Sequence, residues 1–303
     1  MSVEPEELTE LGDEFALVAQ TAEEAGAGGR VLPRVRRGWV NVPAGGHVSG
    51  VFWGDGQPEV VFLHDLGESA RAWDAVALTA GRASVAIDLP GHGRSDWRRD
   101  GRYEPAKLAP AIAEAIRSFA PRVRLIVGTG LGGHTALALR RRQPQLLPAL
   151  ALLPPLPGAV REWPGPERFA GPTEALAVLT VRRPEHSAQS RRRETRYELS
   201  QERDGSWAWR HHPGSLPAPP QAAADSAEAL WTELAALGTA ATIIGGDRAG
   251  PLTTSDRARL QQLAPATRII IIPGAGADVA ATRPAALAAA LDQLLTPTPG
   301  EQA

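Results

Sequence analysis

From residue 37 to about residue 296 the chain alternates short β-rich runs with helical stretches, and this alternation limits the fold more than any other feature. The β-rich runs fall at 38–42, 47–53, 59–64 (EVVFLH), 83–88 (ASVAID), 122–128 (RVRLIVG), 148–153 (PALALL), 240–245 (AATIIG) and 267–273 (TRIIIIP). Helical patterns occupy about 69–80, 106–119, 131–142, 225–237, 254–263 and 283–296. A glycine turn joins the first two runs, which predicts an antiparallel hairpin. Later runs are separated by segments long enough for parallel crossovers, and several are apolar throughout, as a strand covered on both faces must be. The expected architecture is α/β: an eight-stranded, mostly parallel sheet with helices on both faces.

The alternation breaks once. Between Pro154 and about Ala224 the sequence is rich in proline and arginine, and LLPPLPG (152–158) and PGSLPAPPQ (213–221) bracket it. Such a stretch reads as an inserted lid over one end of the sheet. The implied division is an N-terminal helix and arm over 1–36, a core of 37–155 and 225–298, and a lid over 156–224. Arg191, Arg192 and Arg193 lie in the lid, where a run of like charge reads as a solvated helix face.

The first 29 residues carry eight acidic side chains and no basic one. Leu8, Leu11, Phe15, Val18 and Ala22 recur at helical spacing, and Gly26, Gly28 and Gly29 end the pattern. This predicts an amphipathic helix docked on the main domain, with a protein partner binding through residues 4–25 as the alternative. A net charge of −2 gives no reason to expect nucleic acid or an anionic membrane as partner. No apolar run approaches the roughly 20 residues that cross a bilayer, and the acidic N-terminus is unlike a secretory signal, so the expected compartment is the cytoplasm. The chain has no cysteine, which excludes disulfides, a thiol nucleophile and thiolate metal sites. No cofactor is expected, and the adjacent His211 and His212 point apart and make a poor metal site.

Three segments together carry a family resemblance: VVFLHDLGESARAW (60–73), VAIDLPGHGRSD (85–96) and LIVGTGLGGHTALAL (125–139). With them the chain resembles the α/β-hydrolase superfamily over residues 37–296. The segment RYELSQERDGSWAWRHHP (196–213) is similar to the lids of actinobacterial members.

The resemblance implies a Ser-His-acid triad, and the residues depart from it. The strand-to-helix turn holds its nucleophile at positive φ and needs small neighbours, a need that Gly128, Gly132 and Gly133 meet. Its central position, serine in the family, is Gly130. The histidine position after the last strand falls on Ala277 in IIIIPGAGADVAATRP (269–284), and no histidine follows His212. The acid is expected either at Asp247 or after the sixth run, where Pro154 stands; Asp247 reads equally as a turn residue. Glycine at position 130 relieves roughly 1–3 kcal/mol of strain while removing the attacking oxygen.

By the same resemblance the N–H groups of Leu66 and Leu131 would line an oxyanion site, with His64 orienting the turn. Asp65, where glycine is common in the family, would intrude there. Other replacements read as weak. Thr129 points away from the pocket, His134 reads as a packed or surface histidine, Asp278 as outward-facing, and Asp65 with Glu68 as an acid/base or cation pair. The leading expectation is therefore a non-catalytic, small-molecule-binding or regulatory pseudoenzyme for a small apolar carbonyl or carboxylate compound. The alternatives are a hydrolase, lyase or cyclase using Asp65 or Asp247 as acid/base, and a protein-interaction role for the N-terminal helix.

Overall fold

The computed structural model describes residues 13–43, 46–157, 166–212, 220–248 and 252–296. Eight strands form one sheet: β1 (Val35–Asn41), β2 (His47–Trp53), β3 (Val60–Leu63), β4 (Ser84–Ile87), β5 (Leu125–Thr129), β6 (Leu150–Leu153), β10 (Ala241–Gly246) and β11 (Arg268–Ile272). Their order is β1-β2-β4-β3-β5-β6-β10-β11. β1 pairs antiparallel with β2, and β2 antiparallel with β4; every later neighbour is parallel. The mostly parallel eight-stranded sheet is thus the one the sequence predicts.

Side chains along the inner strands alternate between two cores. Val61, Leu63, Val85, Ile87, Ile126, Leu150 and Leu152 pack on one face against α3 (Pro105–Phe119), α4 (Gly130–Arg140), α7 (Pro220–Leu237) and α8 (Thr254–Leu263). Val60, Phe62, Ala86, Leu125, Val127, Ala151 and Leu153 pack on the other. That face is covered by α1 (Val18–Glu24), α2 (Asp74–Ala80), α9 (Val279–Thr282) and α10 (Pro284–Leu295).

The N-terminal helix is shorter than its apolar stripe suggests. α1 is two turns long and buries Val18, Thr21 and Ala22, while Leu8 and Leu11 lie outside the described residues. The helix is therefore docked on its own domain. Acidic side chains of the helix and of the segment before it meet arginines: Glu24 pairs with Arg193 at 2.5 Å and Glu14 with Arg37 at 2.5 Å.

Between β6 and α7 the insertion folds as β7 (Arg168–Phe169), α5 (Pro172–Arg182), α6 (Ala188–Glu198), β8 (Leu199–Gln201) and β9 (Trp207–Trp209). Its three strands form a small antiparallel sheet in the order β7-β9-β8. It has a core of its own, Phe169, Ala175, Leu179, Leu199, Trp207 and Trp209. The arginine run is not a solvated face. Arg191 donates to the carbonyls of Arg183 and His186, capping the end of α5 and its turn, and Arg193 is committed to Glu24.

Candidate functional site

The chain turns from β5 into α4 at Gly130, whose φ is +46°. The strand and helix approach so closely that a Cβ on Gly128 would lie 2.6 Å from the Gly133 Cα. A Cβ on Gly132 would lie 2.6 Å from the His64 carbonyl oxygen and closer still to that of Leu63. No side chain fits there, which is why three glycines surround the turn. Gly130 differs. What stands against its missing side chain is the carboxylate of Asp65: a Cβ on Gly130 would lie 2.5 Å from Oδ2 and nearer to Oδ1 and Cγ.

Asp65 reaches that position from the turn after β3. Its Oδ1 accepts the Leu66 N–H at 2.7 Å and the Leu131 N–H at 2.8 Å. These are the two donors that the family resemblance assigns to an oxyanion. Asp65 is 2% exposed. His64 fixes the turn, its Nδ1–H donating to the Asp65 carbonyl at 2.7 Å while Nε2 accepts the Leu89 N–H at 3.0 Å. This is the orienting role expected of it. Burial holds the imidazole below its usual pKa, with Asp88 pulling the other way, and both ring nitrogens are engaged.

His134 lies one helical turn beyond Gly130, on the same face of α4. Burial lowers its pKa, while the Asp65 carboxylate and the carbonyls of Pro155 and Leu156 favour the charged form. Thr129 donates its hydroxyl to the Pro154 carbonyl at 3.0 Å and is spent there. Asp247 is a turn residue that accepts the Gly274 N–H at 2.7 Å and ties the loop after β10 to the loop after β11.

At the loop bearing Ala277, the insertion supplies a carboxylate. Glu185 accepts the Ala277 N–H at 2.9 Å, and a Cβ on Gly276 would lie 2.5 Å from its Oε1. Asp278 does not face outward as the sequence suggests. It caps α9 through the Ala281 N–H and accepts from His186 Nε2 at 2.9 Å. His186 Nδ1 donates to Glu194 at 2.7 Å. Burial works against its charge, but Asp278 and Glu194 raise its pKa to about 10. An imidazolium with both nitrogens donating has no lone pair to accept a proton, so in this state His186 is not a general base.

Glu68 accepts the Asp65 N–H at 3.1 Å and faces Arg183 at 3.9 Å. Arg183 also pairs with Glu194 at 2.8 Å and Glu198 at 3.0 Å. Burial disfavours the Arg183 guanidinium, yet these carboxylates hold its pKa well above the usual value. A buried charged chain therefore runs from the turn after β3 to α6 and the loop before α9. Asp65 and Glu68 are joined through a backbone N–H rather than as a cation pair. Among the described residues no group of histidines and carboxylates is arranged to hold a metal. His211 stacks with His92 and Trp209, and His212 packs on Trp97 and Tyr103, so the adjacent imidazoles do point apart.

The motifs located Asp65, Gly130 and Ala277. They did not locate Arg183, Glu185 or His186, which belong to no motif and reach the core only through the fold of the insertion.

Strand order, glycine turn and flanking loops together define a class, and the chain belongs to the alpha/beta hydrolase family, whose model matches residues 60–290. Among particular relatives, Esterase Rv0045c of Mycobacterium tuberculosis is 34% identical over 297 residues, covering 93% of this chain and 95% of the relative. A solved structure of that esterase superposes with a TM-score of 0.80 at 29% identity, over 94% of this chain and 99% of the other. A pimeloyl-[acyl-carrier protein] methyl ester esterase of Klebsiella pneumoniae is 32% identical over 136 residues, which is 42% of this chain and 51% of the relative. No helix among the described residues is long and apolar enough to cross a membrane.

Proposed function

We propose that this member of the family does not carry out Ser-His ester hydrolysis and instead serves as a small-molecule-binding or regulatory protein. One observation carries the reading. The Asp65 carboxylate sits against Gly130, in place of a nucleophile, and takes both N–H groups that would stabilise a tetrahedral oxyanion. A fixed negative charge on those donors repels the charge that develops in acyl transfer. The loss of serine or histidine from a triad lowers turnover by about six orders of magnitude, and here both positions lack a functional group. A small carbonyl or carboxylate ligand at Leu66 and Leu131 has to displace Asp65, so its binding is competitive with that side chain.

The test is labelling with a fluorophosphonate and assay on short acyl esters, beside the triple variant Asp65→Gly/Gly130→Ser/Ala277→His. The native chain should neither label nor turn over. The triple variant should gain labelling at position 130. Stoichiometric labelling of the native chain overturns the reading.

A second reading rests on the Asp65 carboxylate that stands against Gly130, with His134 one helical turn further along α4 at the head of the sheet. It assigns Asp65 as the acid/base of a hydrolase, lyase or cyclase without a nucleophilic serine. In its hydrolase form it requires turnover of a short acyl ester that Asp65→Asn abolishes; for the lyase and cyclase forms the same substitution must abolish turnover of the native substrate, and turnover untouched by it removes the reading.

A further inference from the structure

A second charged site lies under the N-terminal arm, away from Gly130. There a cleft of about 30 Å³ gathers the side chains of Arg37 (β1), Arg71 (before α2), Arg94 (after β4), Arg196 (α6) and Arg210 (after β9). Five guanidinium groups from five separate segments converge on a space the size of one water molecule. Arg37 binds Asp88 at 2.6 Å and Arg71 binds Asp74 at 2.8 Å, both carboxylates of the domain itself. Among the described residues Arg94 pairs with Glu14 alone, at 3.4 Å, and Glu14 also binds Arg37 at 2.5 Å. Arg210 makes no carboxylate ion pair among the described residues. Burial, then the neighbouring Arg94 and Arg37, push its guanidinium down to about 10, with Asp88 and Glu14 pulling the other way.

Glu14 is not part of the sheet or of the helices that build this cleft. It arrives on the arm before α1, a helix that buries only Val18, Thr21 and Ala22. Asp88, the other acid at the centre, is already committed. Its Oδ1 accepts the Ala70 N–H at 2.7 Å, and its Oδ2 accepts from Arg37 and from the Arg94 N–H at 3.1 Å.

We propose that this arginine cradle is a binding site for a phosphate group, held closed by the Glu14 carboxylate of the N-terminal arm. The charge count selects phosphate over a simple carboxylate. Withdrawal of Glu14 leaves the five arginines against Asp88, Asp74 and Asp13, so about two positive charges face the cleft. A phosphomonoester brings about −1.5 to −2, with three acceptor oxygens for the planar forks of arginine. The arm then acts as a tethered competitor, and its acidity serves the site it covers. This holds whether or not the Gly130 site is catalytically silent, because the two share no residue.

The test titrates inorganic phosphate and phenyl phosphate into the full chain by calorimetry, at constant ionic strength in chloride. The native protein should bind both weakly. Glu14→Gln, which keeps the side-chain shape, should bind about tenfold more tightly, the effect of removing one competing charge-assisted contact. Arg210→Ala in that background should return affinity to the native value or below. Equal affinity in the native and Glu14→Gln proteins overturns the proposal, and so does phosphate binding that Arg210→Ala leaves unchanged. Melting curves in chloride show whether each variant is folded. If Glu14→Gln is not, the decisive measurement is the phosphate-induced rise in melting temperature of the otherwise native chain. Arg210→Ala should abolish that rise, and an undiminished rise refutes the site.

Discussion

Gly130→Ser places a hydroxyl at the strand-to-helix turn, and the structure predicts that it destabilises the protein. The serine Cβ would stand 2.5 Å from Asp65 Oδ2 and nearer to Oδ1, so the carboxylate must leave. Leaving breaks the bonds from the Leu66 and Leu131 N–H groups, each a contact to a charged acceptor worth about 1.5–3 kcal/mol. Serine at φ +46° adds roughly 1–3 kcal/mol of backbone strain. The expected total is about 4–9 kcal/mol, most of it owed to Asp65. Asp65→Ala alone loses the same two bonds, so the double variant Asp65→Ala/Gly130→Ser pays for them only once. Urea denaturation of the four proteins should therefore show a non-additivity of about 3 kcal/mol or more, the double variant being more stable than the sum predicts. Effects that add to within about 0.5 kcal/mol would refute the claim that the two positions compete for one space.

Three further outcomes are expected. His186 has its folded pKa raised to about 10, above the ordinary 6.5, so its stabilising contribution is complete below pH 6.5 and is lost as pH rises toward 10. The stability gap between the native protein and His186→Gln, measured by urea unfolding, should shrink across that window; a gap constant from pH 6 to 10 refutes the ion-pair account. Gly132→Ala presses a methyl group onto the backbone oxygens of Leu63 and His64, which cannot rotate away, and should cost about 2 kcal/mol or more by the same assay. Glu185→Ala frees the Ala277 and Asp278 N–H groups and should raise their hydrogen-exchange rates without altering exchange in β3 or β5; protected amides at 277 and 278 would show that Glu185 does not hold that loop.

The core was readable because each layer repeats a short-range signal. The runs at 47–53 and 254–263 coincide with β2 and α8, since a hairpin strand and a helix opened by the Thr253–Asp256 capping box have local boundaries. The insertion was not readable as strands. β7, β8 and β9 are two or three residues long, below the length at which alternation can be recognised. Gly130 and Ala277 could be placed by alignment of motif to motif. The rotamer of Asp65, the reach of Glu185 and the engagement of Asp278 by His186 depend on which side chains face one another across the fold, and no spacing in the sequence records that.

The meeting of Asp65 with Gly130 also imposes an order on change. While the aspartate stays, a side chain at position 130 has nowhere to go, so a mutation toward serine is opposed by stability before any catalytic benefit can arise. Aspartate has to be lost first, and losing it alone strips two buried amides of their acceptor. Each of these single steps away from the present pair is uphill, so the two residues can be exchanged at low cost only together.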